Sequence, residues 1–177
     1  MKSIQIRRAS DTDNVLLAEL GARCFSDSFG AYNTPEDMSA YLSASFSPEK
    51  QAAELAEPGS VFLIAEDGEA PAGYARLKEG CPMGSPSGSR CIEIVRFYAV
   101  KEWIGRGVGA ALMIACLEEA SRRGCDLIWL DVWEQNHRAI AFYRKWGFTT
   151  AGEQSFQLGS DLQRDLIMQR PLSEEKL

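Results

Sequence analysis

The stretch from Cys91 to Arg123 constrains the fold more than any other. CIEIVRFYAV (Cys91 to Val100) is rich in β-branched and aromatic residues and reads as a strand. KEWIGRGVG then turns the chain, and a helix is predicted from about Gly107 to Arg123. Its residues Val108 to Leu117 are apolar nearly all round, so this helix must be covered on more than one side. A strand leading through glycines into a buried helix belongs to a layered α/β fold.

The flanking sequence supplies the rest of the layers. Ile4 to Arg8 alternates as a strand, and Ser10 or Asp11 offers an N-cap for a helix over Val15 to Phe29. Pro35 opens a second helical stretch, and SPEKQAAELAEP a third, with Ser47 as cap and Pro48 in first position. VFLIAED and AGYARLK, parted by the turn at Gly68, form a predicted hairpin, and GCPMGSPSG is a loop. LIWLDVW is a further strand; NHRAIAFYRKWG is a short helix capped by Asn136 and stopped at Gly147. The Phe148 to Phe156 and Arg164 to Arg170 segments close the chain as an antiparallel pair. No repeat or linker interrupts the 177 residues, so one domain over 1–177 is expected.

Composition excludes several classes. With 45% hydrophobic and 25% charged residues, the chain has the balance of a soluble globular protein. No apolar run is long enough to span a bilayer, and Met1 to Ser10 lacks the apolar core of a signal peptide, so no membrane partner and a cytoplasmic location are expected. A net charge of −6 argues against nucleic-acid binding and leaves room for a cationic substrate. The five cysteines form no CxxC pair and His137 is the only histidine, so neither a metal site nor a disulfide framework is expected.

Gly105, Gly107 and Gly109 stand where strand gives way to helix, and there bare backbone N–H groups can approach an anion at the positive end of the helix dipole. Taken alone they equally satisfy a tight turn. A Walker loop is excluded, since no GK[ST] follows. Gly105, Gly107 and Ala110 match the dinucleotide fingerprint GxGxxA, with Asp131 downstream, but Lys101 to Ile104 separate these glycines from the strand and too little chain follows for a second nucleotide-binding half.

The strand ending YAV, the GRGVG turn, the apolar helix and LDVWEQNHRAIAFYRKWGF together resemble the GNAT superfamily of acetyl-CoA-dependent N-acetyltransferases, most clearly over Ile92 to Phe148. The resemblance implies an α/β GNAT fold, a mixed, mostly antiparallel twisted sheet of about seven strands flanked by four or five helices. It also implies acetyl-CoA as cosubstrate, without a metal. The family's [QR]xxGx[GA] turn maps onto Gly105, Arg106, Gly107, Val108, Gly109 and Ala110, with Ile104 where glutamine or arginine is usual. Tyr98, Ala99 and Val100 match the segment that pairs with pantetheine and offers N–H groups to the oxyanion, and Asn136 a coenzyme contact besides its capping role.

Tyr143 lies on one helix face with Ala139, Phe142 and Trp146, which periodicity reads as core; the resemblance makes it the general acid that protonates the departing thiolate. An ammonium acceptor must lose a proton before it attacks, and a carboxylate is the natural recipient. Alternation puts Glu93, Val95 and Phe97 on one face and Ile92, Ile94 and Arg96 on the other. Glu93 stands where several GNAT enzymes keep their general base, and is otherwise an ordinary strand glutamate. His137, beside a helix cap, reads as a solvated first-turn residue. No cysteine sits in a motif with His137, so direct transfer in a ternary complex is expected rather than an acetyl-cysteine route.

FSDSFGAYNTPEDMSAYL and the tail from Gly152 to Leu172 are similar to PaiA-like spermidine/spermine acetyltransferases. Asp27, Glu36, Asp37, Glu93 and Glu134 would then make an anionic approach for a polyamine. A peptide or aminoglycoside amine, or a non-catalytic module sensing acetyl-CoA or polyamine, are the alternatives. Trp129, Trp133 and the closing strands carry apolar surface compatible with a homodimer.

Overall fold

The computed structural model describes residues 4–172. Seven strands form one sheet: β1 (Gln5–Arg8), β2 (Ser60–Asp67), β3 (Ala70–Glu79), β4 (Cys91–Ala99), β5 (Leu127–Trp133), β6 (Thr149–Leu158) and β7 (Asp161–Pro171), in the order β1-β2-β3-β4-β5-β7-β6. Only β4 and β5 run parallel, joined by α4 (Val108–Arg122); every other pair is antiparallel. The remaining helices are α1 (Asn14–Phe29), α2 (Pro35–Ser45), α3 (Pro48–Leu55) and α5 (His137–Lys145). This is the expected mixed, mostly antiparallel sheet flanked by helices.

Local chemistry sets the element ends. Thr34 and Ser47 cap α2 and α3 by accepting from the backbone N–H groups of Asp37 and Lys50, and each is followed by a proline whose missing N–H costs nothing there. Helices cover both faces. On one, Val108, Leu112, Met113 and Cys116 of α4 meet Val61, Leu63, Ile92, Ile94, Ile128 and Leu130. On the other, Leu17, Leu20 and Cys24 of α1 meet Phe62, Ile64 and Tyr74. β2 is therefore buried on both sides and reads as an unbroken apolar run, VFLIA.

Two features depart from the sequence reading. The register of β3 against β4 slips once: Arg76 pairs with Arg96 but Leu77 with Ile94, which leaves Val95 as an extra residue. Beyond this bulge the alternation of β4 reverses, so Phe97 and Ala99 join Ile92 and Ile94 on the α4 side. Glu93 shares the opposite face with Arg96 and Tyr98. Simple alternation, which grouped Glu93 with Phe97, fails because it cannot see a bulge.

The second departure is a disulfide between Cys81 and Cys91, with Cα atoms 4.8 Å apart. The loop between β3 and β4 doubles back, so that the Gly80 N–H meets the Cys91 carbonyl, and the two cysteines close its base. A separation of ten residues across a long hairpin loop has no recognisable spacing, which is why the cysteine count pointed the other way.

A buried ionic network fixes α3 beneath the sheet. The Glu54 carboxylate lies 3.0 Å from Arg76 and 2.6 Å from Arg96, and all three side chains are at most 10% exposed. Arg96 also lies over the Phe46 ring and donates a hydrogen bond to the Gln51 amide oxygen. Removing the acid strands the buried Arg96 guanidinium and leaves Arg76 with Glu57 alone. Glu54→Ala is expected to destabilise the fold by about 3–5 kcal/mol, read from urea denaturation midpoints.

Candidate functional site

β4 and β5 stay paired only from Cys91–Leu127 to Ile94–Leu130. Past that point the two strands part, because each keeps another partner. β4 remains on β3 until the Val100 N–H meets the Ala72 carbonyl at 2.9 Å, while β5 follows β7 as far as the Trp133–Asp165 pair. Between them opens a cavity of about 630 Å³.

One end of this cavity is the glycine turn. Gly105, Gly107, Gly109, Ala110 and Ile104 line it. Gly107 has φ +89° and caps α4 without any side-chain acceptor, so the N–H groups of the first helical turn are left for a guest. A Cβ built on Gly105 or Gly107 would meet nothing within 4 Å; the left-handed backbone calls for glycine here, and open space lies beyond it. Val108 points into the core instead and can contribute only its backbone. Ile104 is 39% exposed and offers apolar surface, and the Arg106 guanidinium lies over the Trp103 ring rather than in the cavity.

The walls bring other predicted residues together. Asn136 caps α5 by accepting from the Ala139 N–H, and it lines the cavity with Tyr98, Ala99 and Tyr143. Val100 does not line it, and its N–H is used by Ala72. Along an antiparallel ladder the bonded side alternates, so Tyr98 also turns its N–H toward β3 whereas Phe97 and Ala99 turn theirs toward the opening. Tyr143 is only 7% exposed and packs among Phe97, Phe142 and Phe148. Burial, reinforced by nearby Cys116, pushes its phenol well above the ordinary value, so the proton stays on the oxygen.

Glu93 lines the same cavity. Burial raises its pKa, and Arg76 and Lys78 offset part of the rise. The other acids expected to attract a cation lie elsewhere. Asp37 accepts from the N–H and hydroxyl of Ser160, Glu134 is paired with Arg164, and neither they nor Asp27 and Glu36 line the cavity.

Two acids that do line it are not among those expected on the acceptor side, although Asp131 stands out in the sequence downstream of the glycines. Asp131 on β5 and Asp165 on β7 face the cavity, walled by Phe25, Phe29, Tyr41, Trp133 and Phe156. Phe25 stacks on Tyr41 at 4.5 Å, and Trp133 meets the edges of Phe29 and Tyr32. A single carboxylate set inside an otherwise apolar strand, as in LIWLDVW, is the signal that could have found Asp131; the mixed stretch LQRDLIM carries no such mark for Asp165.

Among known proteins, the sequence profile described as the acetyltransferase (GNAT) family matches residues 23–148. An uncharacterized N-acetyltransferase of Lactobacillus delbrueckii subsp. lactis is 33% identical over 173 residues, 97% of this chain and 99% of the relative. The PaiA N-acetyltransferase of Thermoplasma acidophilum, solved with coenzyme A, superposes with a TM-score of 0.79 at 23% identity, covering 96% of this chain and 99% of that one. The ribosomal-protein-S18-alanine N-acetyltransferase of Escherichia coli gives 0.70 at 18% identity over 99% of each chain. The forked sheet with its glycine turn thus defines an acyl-coenzyme A-dependent transferase. The chain belongs to the GNAT acetyltransferase family and is an acetyl-CoA-dependent N-acetyltransferase. The residues present fit the cosubstrate: an uncapped helix start beside open space suits a pyrophosphate, and a parted strand edge suits an amide-bearing chain. Among the described residues no group of three His, Cys, Asp or Glu side chains could hold a metal ion, and no helix is long and apolar enough to cross a membrane.

Gly107 tests the glycine turn. Gly107→Glu is expected to weaken coenzyme A binding at least about tenfold beyond Gly107→Ala, measured by isothermal titration. The alanine variant carries the same left-handed strain without the charge, so equal losses in both would remove the anion-binding role.

Proposed function

We propose that the enzyme acetylates a primary amine of a polyamine such as spermidine or spermine, by direct attack within a ternary complex. The observation that carries this reading is that Tyr143 and Glu93 line one cavity opening from the parted edges of β4 and β5. Bound acetyl-CoA supplies the thioester carbonyl and the thiol leaving group. The backbone amides from Gly105 to Ala110 hold its phosphate end, Asn136 the chain between, and the outward edge of β4 its amide groups.

Each side chain then has one task. Glu93 takes a proton from the acceptor ammonium, for which its raised pKa is an advantage, since a more basic carboxylate removes the proton more readily. The Ala99 N–H faces the place where the carbonyl oxygen gains charge. Tyr143 keeps its proton until the thiolate departs and then donates it. None of the cysteines lines the cavity, which supports direct transfer over an acetyl-cysteine route. The similarity to PaiA supports the polyamine only at the level of fold, while the acids and aromatic rings on the acceptor side favour a cation.

Tyr143→Phe removes the donated proton and little else. Thiol release with spermidine is expected to fall about 10²- to 10⁴-fold while acetyl-CoA affinity stays near that of the wild type; unchanged turnover would reject the assignment. For Glu93 the sign is fixed by its role as a base: kcat of the wild type falls as pH drops through the raised pKa of the carboxyl. In Glu93→Gln that acid limb should vanish from the kcat profile, along with most of the rate, and an unaltered profile would exclude Glu93 as the base.

A further inference from the structure

Glu93, Asp131 and Asp165 stand on one face of three consecutive strands, β4, β5 and β7. Their surroundings differ. Glu93 pairs across the sheet with Lys78 and feels Arg76. Asp131 and Asp165 have no such cation. Asp131 takes one hydrogen bond, from the Gln154 amide, and one oxygen of each aspartate, Oδ1, is sealed from the surface with no partner among the described residues. Two buried, unpaired carboxylate oxygens on neighbouring strands are costly to keep and call for an explanation. Burial raises both acids, and repulsion from Glu93 and Asp165 adds to it at Asp131, which is pushed up to about 6 and is still ionised at neutral pH.

Two carboxylates that line a cavity without a cation of their own suit a cationic guest, and the geometry restricts its kind. Asp165 lies opposite Trp133, and Asp131 opposite Ile167, so the two acids are diagonal neighbours, roughly 7–8 Å apart. This spacing comes without the third ligand that a metal ion would need among the described residues. It suits two ammonium groups joined by a short methylene chain. Tyr41, Trp133 and Phe156 beside them supply the faces that a methylene chain and a partly desolvated ammonium prefer. The other cationic residues of the cavity are Arg96, which is held by Glu54, and Arg138 on α5.

We propose that Asp131 and Asp165 are the specificity anchor of the acceptor site, holding the ammonium groups of a polyamine that are not being acetylated. The anchor rests on the acetyl-transfer reading for its purpose but not for its existence. It places the reacting amine toward Glu93 and Tyr143 and the remainder of the molecule along β5 and β7, under the aromatic rings of α1 and α2. An acceptor with one positive charge fills only the reacting position and gains nothing from the anchor.

Equilibrium titration of spermidine and of butylamine into the intact protein separates the possibilities, with coenzyme A titration as the check that each variant is folded. The wild type is expected to bind spermidine at least about tenfold more tightly than butylamine, and Asp131→Asn and Asp165→Asn each to lose about ten- to a hundredfold in spermidine affinity. In turnover, the ratio of kcat/KM for spermidine to that for butylamine should collapse in both variants. Spermidine affinity within twofold of the wild type in folded variants overturns the anchor, as does a wild type that binds the two amines equally or binds neither. Tight, aspartate-dependent spermidine binding without thiol release from acetyl-CoA would instead uphold the anchor and sink the proposed reaction.

Discussion

The site depends on the parting of β4 from β5. A sheet that stayed zipped would have no edge to offer and no interior space. What forces the parting is a conflict of partners: Val95 adds a residue to β4, which bends with β3, while β5 is committed to β7 over its whole length. A bulge sharpens the local twist, and twist accumulated on one strand of a parallel pair must separate it from the other. The cavity, the free backbone groups at Phe97 and Ala99, and the placing of Tyr143 against Phe97 all follow from that one extra residue.

Much of this was legible in the sequence because it rests on local chemistry. The caps at Ser47 and Asn136 and the glycine at 107 act within four residues of themselves, and the apolar surround of α4 demanded a sheet to lie on. Strand identity was equally plain, since β2 and β5 are rich in residues that fit a pleated, buried surface. Register was not. The slip at Val95 arises from the pairing of two strands, and nothing in CIEIVRFYAV marks the residue that will be left over. The Cys81–Cys91 bond was hidden for the same reason, as a contact made by a loop's path rather than by spacing.

The acids show the same division at the level of function. Asp27, Glu36, Asp37 and Glu134 lie in segments that a sequence reading sends toward the acceptor, yet Asp37 and Glu134 are spent on Ser160 and Arg164, and all four lie outside the cavity. Asp131 sits in a strand that reads as core, and Asp165 in a closing strand of mixed, half-exposed character. Charge counted along the chain says how much acid there is; only the sheet order, which brings β7 beside β5, says which acids face the same space.

Sheet order also explains why those acids are not neutralised from within. One lining arginine, Arg138, stands on α5 and bonds to neither aspartate. Arg96 of the cavity wall and Arg76 behind it are held by Glu54, with Glu57 taking the second face of Arg76. Those bonds anchor α3, and through it the α1 layer that roofs the acceptor side. An arginine released to pair with Asp131 would leave Glu54 buried and uncompensated, at a cost comparable to the gain. The protein therefore divides its charges: cations and acids on the β3 and β4 side satisfy one another and hold the scaffold, while Asp131 and Asp165 are left facing a space. Stability given up at such a place is regained when a cation binds, and the gain is then available for recognition.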